Sequence, residues 1–168
     1  MNPLALIKAT SIALCLSGAA KATELPQPTG EIILTISGDI ARRNSGEAAV
    51  FDRMMLESMG YVDVVTTTPW HDGETTFSGV PLLQLLEYVG ASGETIIAVA
   101  LNDYEVEIPV SDVIETGVIA ATKMNGNDMS VKEKGPIFII YPYDSSDALQ
   151  SQTYYTRSAW QVAELIIR

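Results

Sequence analysis

Phe77-Ser78-Gly79-Val80-Pro81-Leu82-Leu83-Gln84-Leu85-Leu86 carries the clearest structural signal in the chain. Pro81 presets φ for a first helical turn and lacks an N–H that such a turn leaves unused. Leu82, Leu85, Leu86 and Val89 then recur on one side at helical spacing, and Gly90 stops the run. A short helix with one apolar face needs a sheet to cover, and the flanking sequence supplies strands.

Toward the C-terminus, residues 95–101 and 105–108 read as strands around a turn at Asn102-Asp103, where short polar side chains tolerate tight geometry. Residues 118–123 and 137–141 are further strands, with Asn125-Gly126 as a turn between them. Residues 144–156 read as a long polar loop, and residues 159–167 close the domain as a last strand. Toward the N-terminus, Pro69-Trp70-His71-Asp72-Gly73 reads as a loop after a β-branched strand at 61–67. Asn44, with Glu47 three residues on, predicts a capping box. The helix it opens carries Ala48, Phe51, Met55 and Ser58 or Met59 on one face. Residues 31–37 (EIILTIS) are strand-like, and residues 24–30 form an extended leader with Pro26 and Pro28. The expectation is a β-rich α+β domain, mixed β-sheets with two peripheral helices.

Residues 1–22 stand apart. Lys8 precedes the apolar run Ala9 to Leu16, no acidic residue occurs, and the stretch ends in Ala20-Lys21-Ala22. These are the parts of a cleavable export signal with its site near Ala22-Thr23. The run is shorter than the about 20 residues a bilayer span needs. A buried N-terminal helix is one alternative. Acylation at Cys15 is another, disfavoured by the bulky Leu14 before it. The expected organisation is a signal peptide at 1–22 and one domain at 23–168, placed in the periplasm.

Removing residues 1–22 from the 168 leaves 146, enough for a real core. The whole chain has 10 basic and 21 acidic residues; losing Lys8 and Lys21 takes the net charge from −11 to −13. Such a charge repels nucleic acid phosphates and anionic lipid heads. Cys15 is the only cysteine, so the exported domain has no disulfide and no thiolate ligand. His71 is the only histidine, which rules out a His-rich zinc site. No H-E-x-x-H, G-x-S-x-G, Walker or G-x-G-x-x-G pattern occurs.

Aromatic and polar residues gather instead at predicted loops: Trp70 and His71; Asn102, Asp103 and Tyr104; Tyr141 and Tyr143; Tyr154, Tyr155, Arg157, Ser158 and Trp160. Flat rings beside a carboxylate and an amide suit a planar heterocycle, which stacks on the rings and pairs along its polar edge. Each residue has a plainer reading too. Trp160 fits a core strand position, Trp70 a loop ring covering the sheet, Asp103 a turn residue and His71 a surface side chain. Glu105 and Glu107 read as a solvated strand face, and Met54, Met55 and Met59 as packing.

Four segments in order resemble the sulfite-oxidase-type molybdopterin-binding domain. Phe77 to Leu86 resembles its F-x-G-V-P-L-x-x-L-L segment, and Asn102-Asp103-Tyr104 with Ile108-Pro109 its D-G-Y…I-P segment. Asn125-Gly126 followed by Gly135-Pro136 and Tyr141-Pro142 resembles N-G…G-P-x-R-x-x-x-P, and Arg157-Ser158-Ala159-Trp160 resembles S-x-K-W. The resemblance spans roughly residues 32–167 and implies that fold. The departures are informative. The molybdenum enzymes carry a metal-binding cysteine just before the G-V-P-L segment, where this chain has Thr66-Thr67-Thr68. A hydroxyl is no substitute for a thiolate as a soft ligand. Phe138 stands where the family has an arginine, which removes a bidentate anion partner, and Ala159 stands in place of the lysine before the closing tryptophan.

This combination resembles a narrower group of small periplasmic proteins that bind a pterin without molybdenum and act with an inner-membrane protein of cyclic di-GMP metabolism. The resemblance implies a ligand sensor and no catalytic residues, with a neopterin- or monapterin-like ligand and no molybdenum. Its expected partner is the periplasmic domain of that signalling protein, with no nucleic acid and no direct membrane insertion. Trp70, Tyr141 and Trp160 are then the expected walls. Asn102 and Asp103, with Tyr104, take the aminopyrimidine edge, and Arg157 and Ser158 the far end. The alternatives are a molybdopterin-dependent oxidoreductase, an accessory subunit of one, or an interaction module whose acidic surface docks a basic partner.

Overall fold

The computed structural model describes residues 25–168, so the export signal expected at 1–22 lies outside the described residues. Two sheets face each other across a shared core. The first runs β2 (Ala49–Asp52), β1 (Ile32–Gly38), β10 (Val162–Ile167), β5 (Thr95–Ala100), β6 (Glu105–Pro109). Its strands are antiparallel except for the central β1–β10 pair, which is parallel, with Ile36 opposite Leu165. The second runs β3 (Val62–Thr68), β4 (His71–Pro81), β7 (Ile119–Met124), β8 (Asn127–Asp128), with β9 (Phe138–Ile140) also on β7. Four short helices complete it: α1 (Arg53–Ser58), α2 (Leu82–Val89), α3 (Val110–Thr116) and α4 (Gln152–Arg157). This is the expected α+β class with mixed sheets.

The alternation of a strand explains the core. Leu34 and Ile36 on β1, Leu165 and Ile167 on β10, and Ile96 and Ala98 on β5 all point inward and are buried. Val80, Ala120 and Ile139 meet them from the second sheet, and α2 adds Leu82, Leu85, Leu86 and Val89. Each fully buried aliphatic side chain stabilises by roughly 1.5–3 kcal/mol. The other face of the second sheet is covered as well, by Phe77, Ile119, Ala121, Met129, Phe138 and Ile140. Gly79 lets β4 and β7 close, because a methyl there would overlap the Ala120 carbonyl oxygen.

Several local expectations are corrected. Residue 44 opens no helix. The Asn44 amide donates to the carbonyls of Pro26 at 2.7 Å and Val50 at 2.9 Å, and accepts from Val50 N–H at 2.7 Å. It ties the leader to β2, and the helix starts later, capped by Asp52, which accepts from Met55 N–H at 2.8 Å. Gly30 and Thr29 N–H also donate to Asp52, at 2.8 and 2.7 Å. The Met55 bond, then the Gly30 bond, hold its carboxyl below the ordinary aspartate range. The expected loop at 69–73 is a two-residue turn, Pro69-Trp70: Thr68 pairs with His71, and β4 runs on through Phe77 and Gly79. The expected loop at 144–156 holds 3₁₀ turns and α4, and the last strand begins at Val162, after Ala159. α3 was not foreseen.

Candidate functional site

Three connections converge on a cleft of about 500 Å³, within the range of about 300–1,000 Å³ usual for small-molecule sites. The β3–β4 turn brings Pro69 and Trp70. The end of β5 and the β5–β6 turn bring Ala100, Asn102 and Tyr104. α4 and the segment into β10 bring Gln152, Tyr155, Thr156, Ser158, Ala159 and Trp160.

Trp70 is the pivot. Its ring centroid lies 5.7 Å from that of Trp160, 5.4 Å from Phe138, 6.0 Å from Tyr155 and 6.4 Å from Tyr143. Most of these contacts are edge-to-face, the arrangement that ring quadrupoles favour. Trp70 is half-buried among these rings and lines the cleft, whereas Trp160 remains 38% exposed and Tyr104 50% exposed. These are the rings with surface left to offer. The Lys134 ammonium sits 4.1 Å from the Trp160 ring centroid, a cation–π contact. Burial lowers the Lys134 pKa from its ordinary value. Burial first, and the Lys134 charge second, lower that of His71. His71 Nδ1 is 2.9 Å from the Thr68 hydroxyl.

The polar edge comes from two amides. Asn102 Oδ1 accepts from Tyr104 N–H at 3.3 Å, which orients the turn. Gln152 Nε2 donates to the Thr156 hydroxyl one helical turn on, at 3.2 Å. Ser158 is buried: its hydroxyl donates to the Tyr154 carbonyl at 2.7 Å and meets the Tyr143 hydroxyl.

Of the eight residues singled out from sequence, Trp70, Asn102, Tyr104, Ser158 and Trp160 line the cleft. Three do not. Asp103 takes a left-handed conformation (φ +63°) at the exposed crest of the β5–β6 turn. Tyr141 is wholly buried and donates to Asp112 Oδ2 at 3.0 Å. Burial foremost, with the Asp112 charge, raises its pKa far above the ordinary tyrosine value. Arg157 Nη1 donates to the same oxygen at 2.7 Å. Gln152 and Thr156 were missed, and Tyr155, noted among the loop aromatics, was not expected in the binding set; their i, i+3, i+4 spacing was the available signal, once the segment is read as helix.

The threonines before β4 are locally engaged. Thr66 Oγ1 accepts from Asp144 N–H at 3.1 Å and donates to the Thr67 carbonyl at 3.3 Å. Thr67 donates to the Asp144 carboxylate from its hydroxyl at 2.7 Å and its N–H at 2.5 Å. Those bonds, the hydroxyl's first, lower the Asp144 pKa. Among the described residues no group of three or more His, Cys, Asp or Glu side chains is placed to hold a metal ion.

Residues 48–144 match the oxidoreductase molybdopterin binding domain family, and the chain belongs to that family. No curated protein matches it in sequence. Among solved structures it is similar to the sulfane dehydrogenase SoxCD from Paracoccus pantotrophus, at TM-score 0.58 and 18% identity. The alignment covers 80% of this chain and 37% of that one, so the chain spans little over a third of its relative's length. At that identity the likeness is one of fold. It agrees with the sulfite-oxidase-like architecture expected from the ordered segments.

Proposed function

We propose that the cleft binds a pterin, and that the protein is a periplasmic ligand sensor rather than a catalyst. In this reading it regulates an inner-membrane signalling protein of cyclic di-GMP metabolism. One observation carries the ligand class: exposed Trp160 and Tyr104 rings and the amides of Asn102 and Gln152 meet in one cleft, in a family named for molybdopterin binding. A pterin is a flat bicycle with a 2-amino-4-oxo edge. Rings stack on its faces, and a carboxamide pairs with that edge by donating to its oxygen and accepting from its nitrogen. Asn102 takes the role expected of Asp103. Arg157 acts behind the cleft wall.

The donor set favours the organic ligand over the metal. The threonine hydroxyls at 66–68 offer hard oxygen, already bonded within the protein, where a soft thiolate would be needed. No helix among the described residues is long and apolar enough to cross a membrane. The test is protein isolated from its native host, assayed for fluorescent pterin after acid extraction and for molybdenum by mass spectrometry. The reading expects pterin and no stoichiometric metal. Molybdenum at one equivalent would overturn it in favour of an oxidoreductase.

A further inference from the structure

Trp160 reaches the cleft from a two-residue bulge. Before it, the Ala159 carbonyl accepts from Ile139 N–H at 2.9 Å; after it, Val162 N–H donates to the Ile137 carbonyl at 3.0 Å. Trp160 and Gln161 thus bridge a span that one residue, Phe138, covers on the other side. An extra residue of this kind bends the chain and re-aims a side chain. Here the side chain is the Trp160 ring, whose centroid stands 6.1 Å from that of Phe138 and whose surface lines the cleft.

Gln161 holds the bulge in shape. Its backbone is left-handed, φ +56°, a conformation that glycine, and at times asparagine, adopts readily and glutamine does not. Three bonds impose it. Its N–H donates to the Lys134 carbonyl at 2.8 Å, and its carbonyl accepts from Leu101 N–H at 2.9 Å. Its side-chain Nε2 donates to the Val131 carbonyl at 2.8 Å. Lys134 is left-handed as well, φ +75°, and its ammonium lies against the Trp160 ring. Leu101 directly precedes Asn102, the amide of the cleft's polar edge. One residue therefore ties the Trp160 backbone to the lysine beside its ring and to the turn that carries Asn102. Backbone held in a sparsely populated region persists only where its surroundings over-determine it, and such positions gather at ligand clamps.

We propose that Gln161 is a positioning residue for the pterin. It is not one of the cleft's lining residues and acts through Trp160. It presents that ring at a fixed separation from Asn102, so a flat ligand meets its stacking face and its polar edge without a rearrangement of the walls. Walls set in advance spare the ordering cost of binding. The part played toward the ligand rests on the pterin reading above; the placement of Trp160 by Gln161 does not.

The test compares Gln161→Gly with Gln161→Ala. Both lose the Val131 bond, and they differ in their tolerance of a left-handed backbone. Gln161→Asn keeps an amide and tolerates that backbone. Each chain is read by urea unfolding, by the indole N–H resonance of Trp160, assigned with Trp160→Phe, and by calorimetric titration with neopterin. The glycine and asparagine variants are expected to keep the Trp160 resonance and to bind neopterin within about twofold of the parent. The alanine variant is expected to shift or split that resonance, to leave that of Trp70 in place, and to bind about five- to tenfold more weakly. Gln161→Ser repeats the comparison should the alanine chain not fold. Alanine and glycine variants that differ only in unfolding midpoint, with the same Trp160 resonance and the same Kd, would overturn the proposal and leave Gln161 a structural role alone. A parent chain that does not bind neopterin would overturn the pterin reading, while the Trp160 resonance still decides whether Gln161 places the ring.

Discussion

Arg157 Nη1 donates to Asp112 Oδ2 at 2.7 Å, joining α4, which lines the cleft, to α3. Asp112 keeps only 9% of its side-chain surface and Arg157 26%. The same carboxylate oxygen also takes the Tyr141 hydroxyl, so three segments meet at one acceptor. The pair holds the cleft wall at a distance from any ligand.

Arg157→Met should therefore cost about 2–3 kcal/mol in urea unfolding, somewhat below the value for a fully buried pair because Arg157 is partly solvated. Tyr141→Phe should cost about 1 kcal/mol. A double-mutant cycle between them should show coupling, because they share an acceptor. A free-energy change within the error of the urea measurement for Arg157→Met would mean the bond contributes nothing.

The Tyr143–Ser158 contact predicts an asymmetry. Tyr143→Phe removes one buried hydroxyl and leaves Ser158 donating to Tyr154, for a cost of about 1 kcal/mol. Ser158→Ala leaves the Tyr143 hydroxyl buried without its partner and should cost about 1–3 kcal/mol. The burial that makes that hydroxyl expensive to strand also raises its pKa well above the ordinary tyrosine value. Thermal and urea unfolding of the two variants give the order.

Gly79→Ala should destabilise by about 1–3 kcal/mol or more, since the new methyl meets backbone that cannot yield without parting β4 from β7. Gly126→Ala is the contrast. Nothing lies near its Cβ position, and only the positive φ of +79° opposes it, at about 1 kcal/mol. Urea midpoints for the two, compared with the parent chain, decide.

His71 should titrate below the ordinary value of about 6.5, because burial and the Lys134 ammonium both favour the neutral ring. A lowered folded pKa means that this contribution to stability is complete above the unfolded pKa and is lost as pH falls toward the folded one. Lys134→Met should raise the His71 pKa only part of the way, since burial is the larger cause. An imidazole proton titration by NMR reads both values.

The fold was legible where a period or a stop signal is strong. Leu82, Leu85, Leu86 and Val89 before Gly90 mark α2 unambiguously, and the β-branched run at 62–68 marks β3. It was illegible where tertiary partners decide. Asn44 looks like a helix cap because its local sequence fits one, yet its amide is used by Pro26 and Val50. β4 begins with His71, Asp72 and Gly73, poor strand formers; His71 pairs with Thr68, and regular pairing with β3 resumes only at Thr75. α3 is β-branched and lacks a side-chain cap; its only signals are Pro109 before it and Gly117 after. In the site, Trp70, Asn102, Tyr104 and Trp160 could be read from loop placement, whereas Gln152 could not, because residues 144–156 read as a loop and not as a helix. Arg157 and Tyr141 could not, because their partner Asp112 lies in a helix whose burial the local sequence does not reveal.

The most direct measurement is a calorimetric titration of the purified protein with neopterin, repeated with Trp160→Ala and Asn102→Ala. Stacking on Trp160 predicts a loss of about 1–3 kcal/mol, or about five- to 150-fold in Kd, for the first variant. The second should lose about 1 kcal/mol from one polar contact. Saturable binding that falls in this order is the predicted result. Absence of binding to the parent chain, or binding unchanged in both variants, would contradict the account.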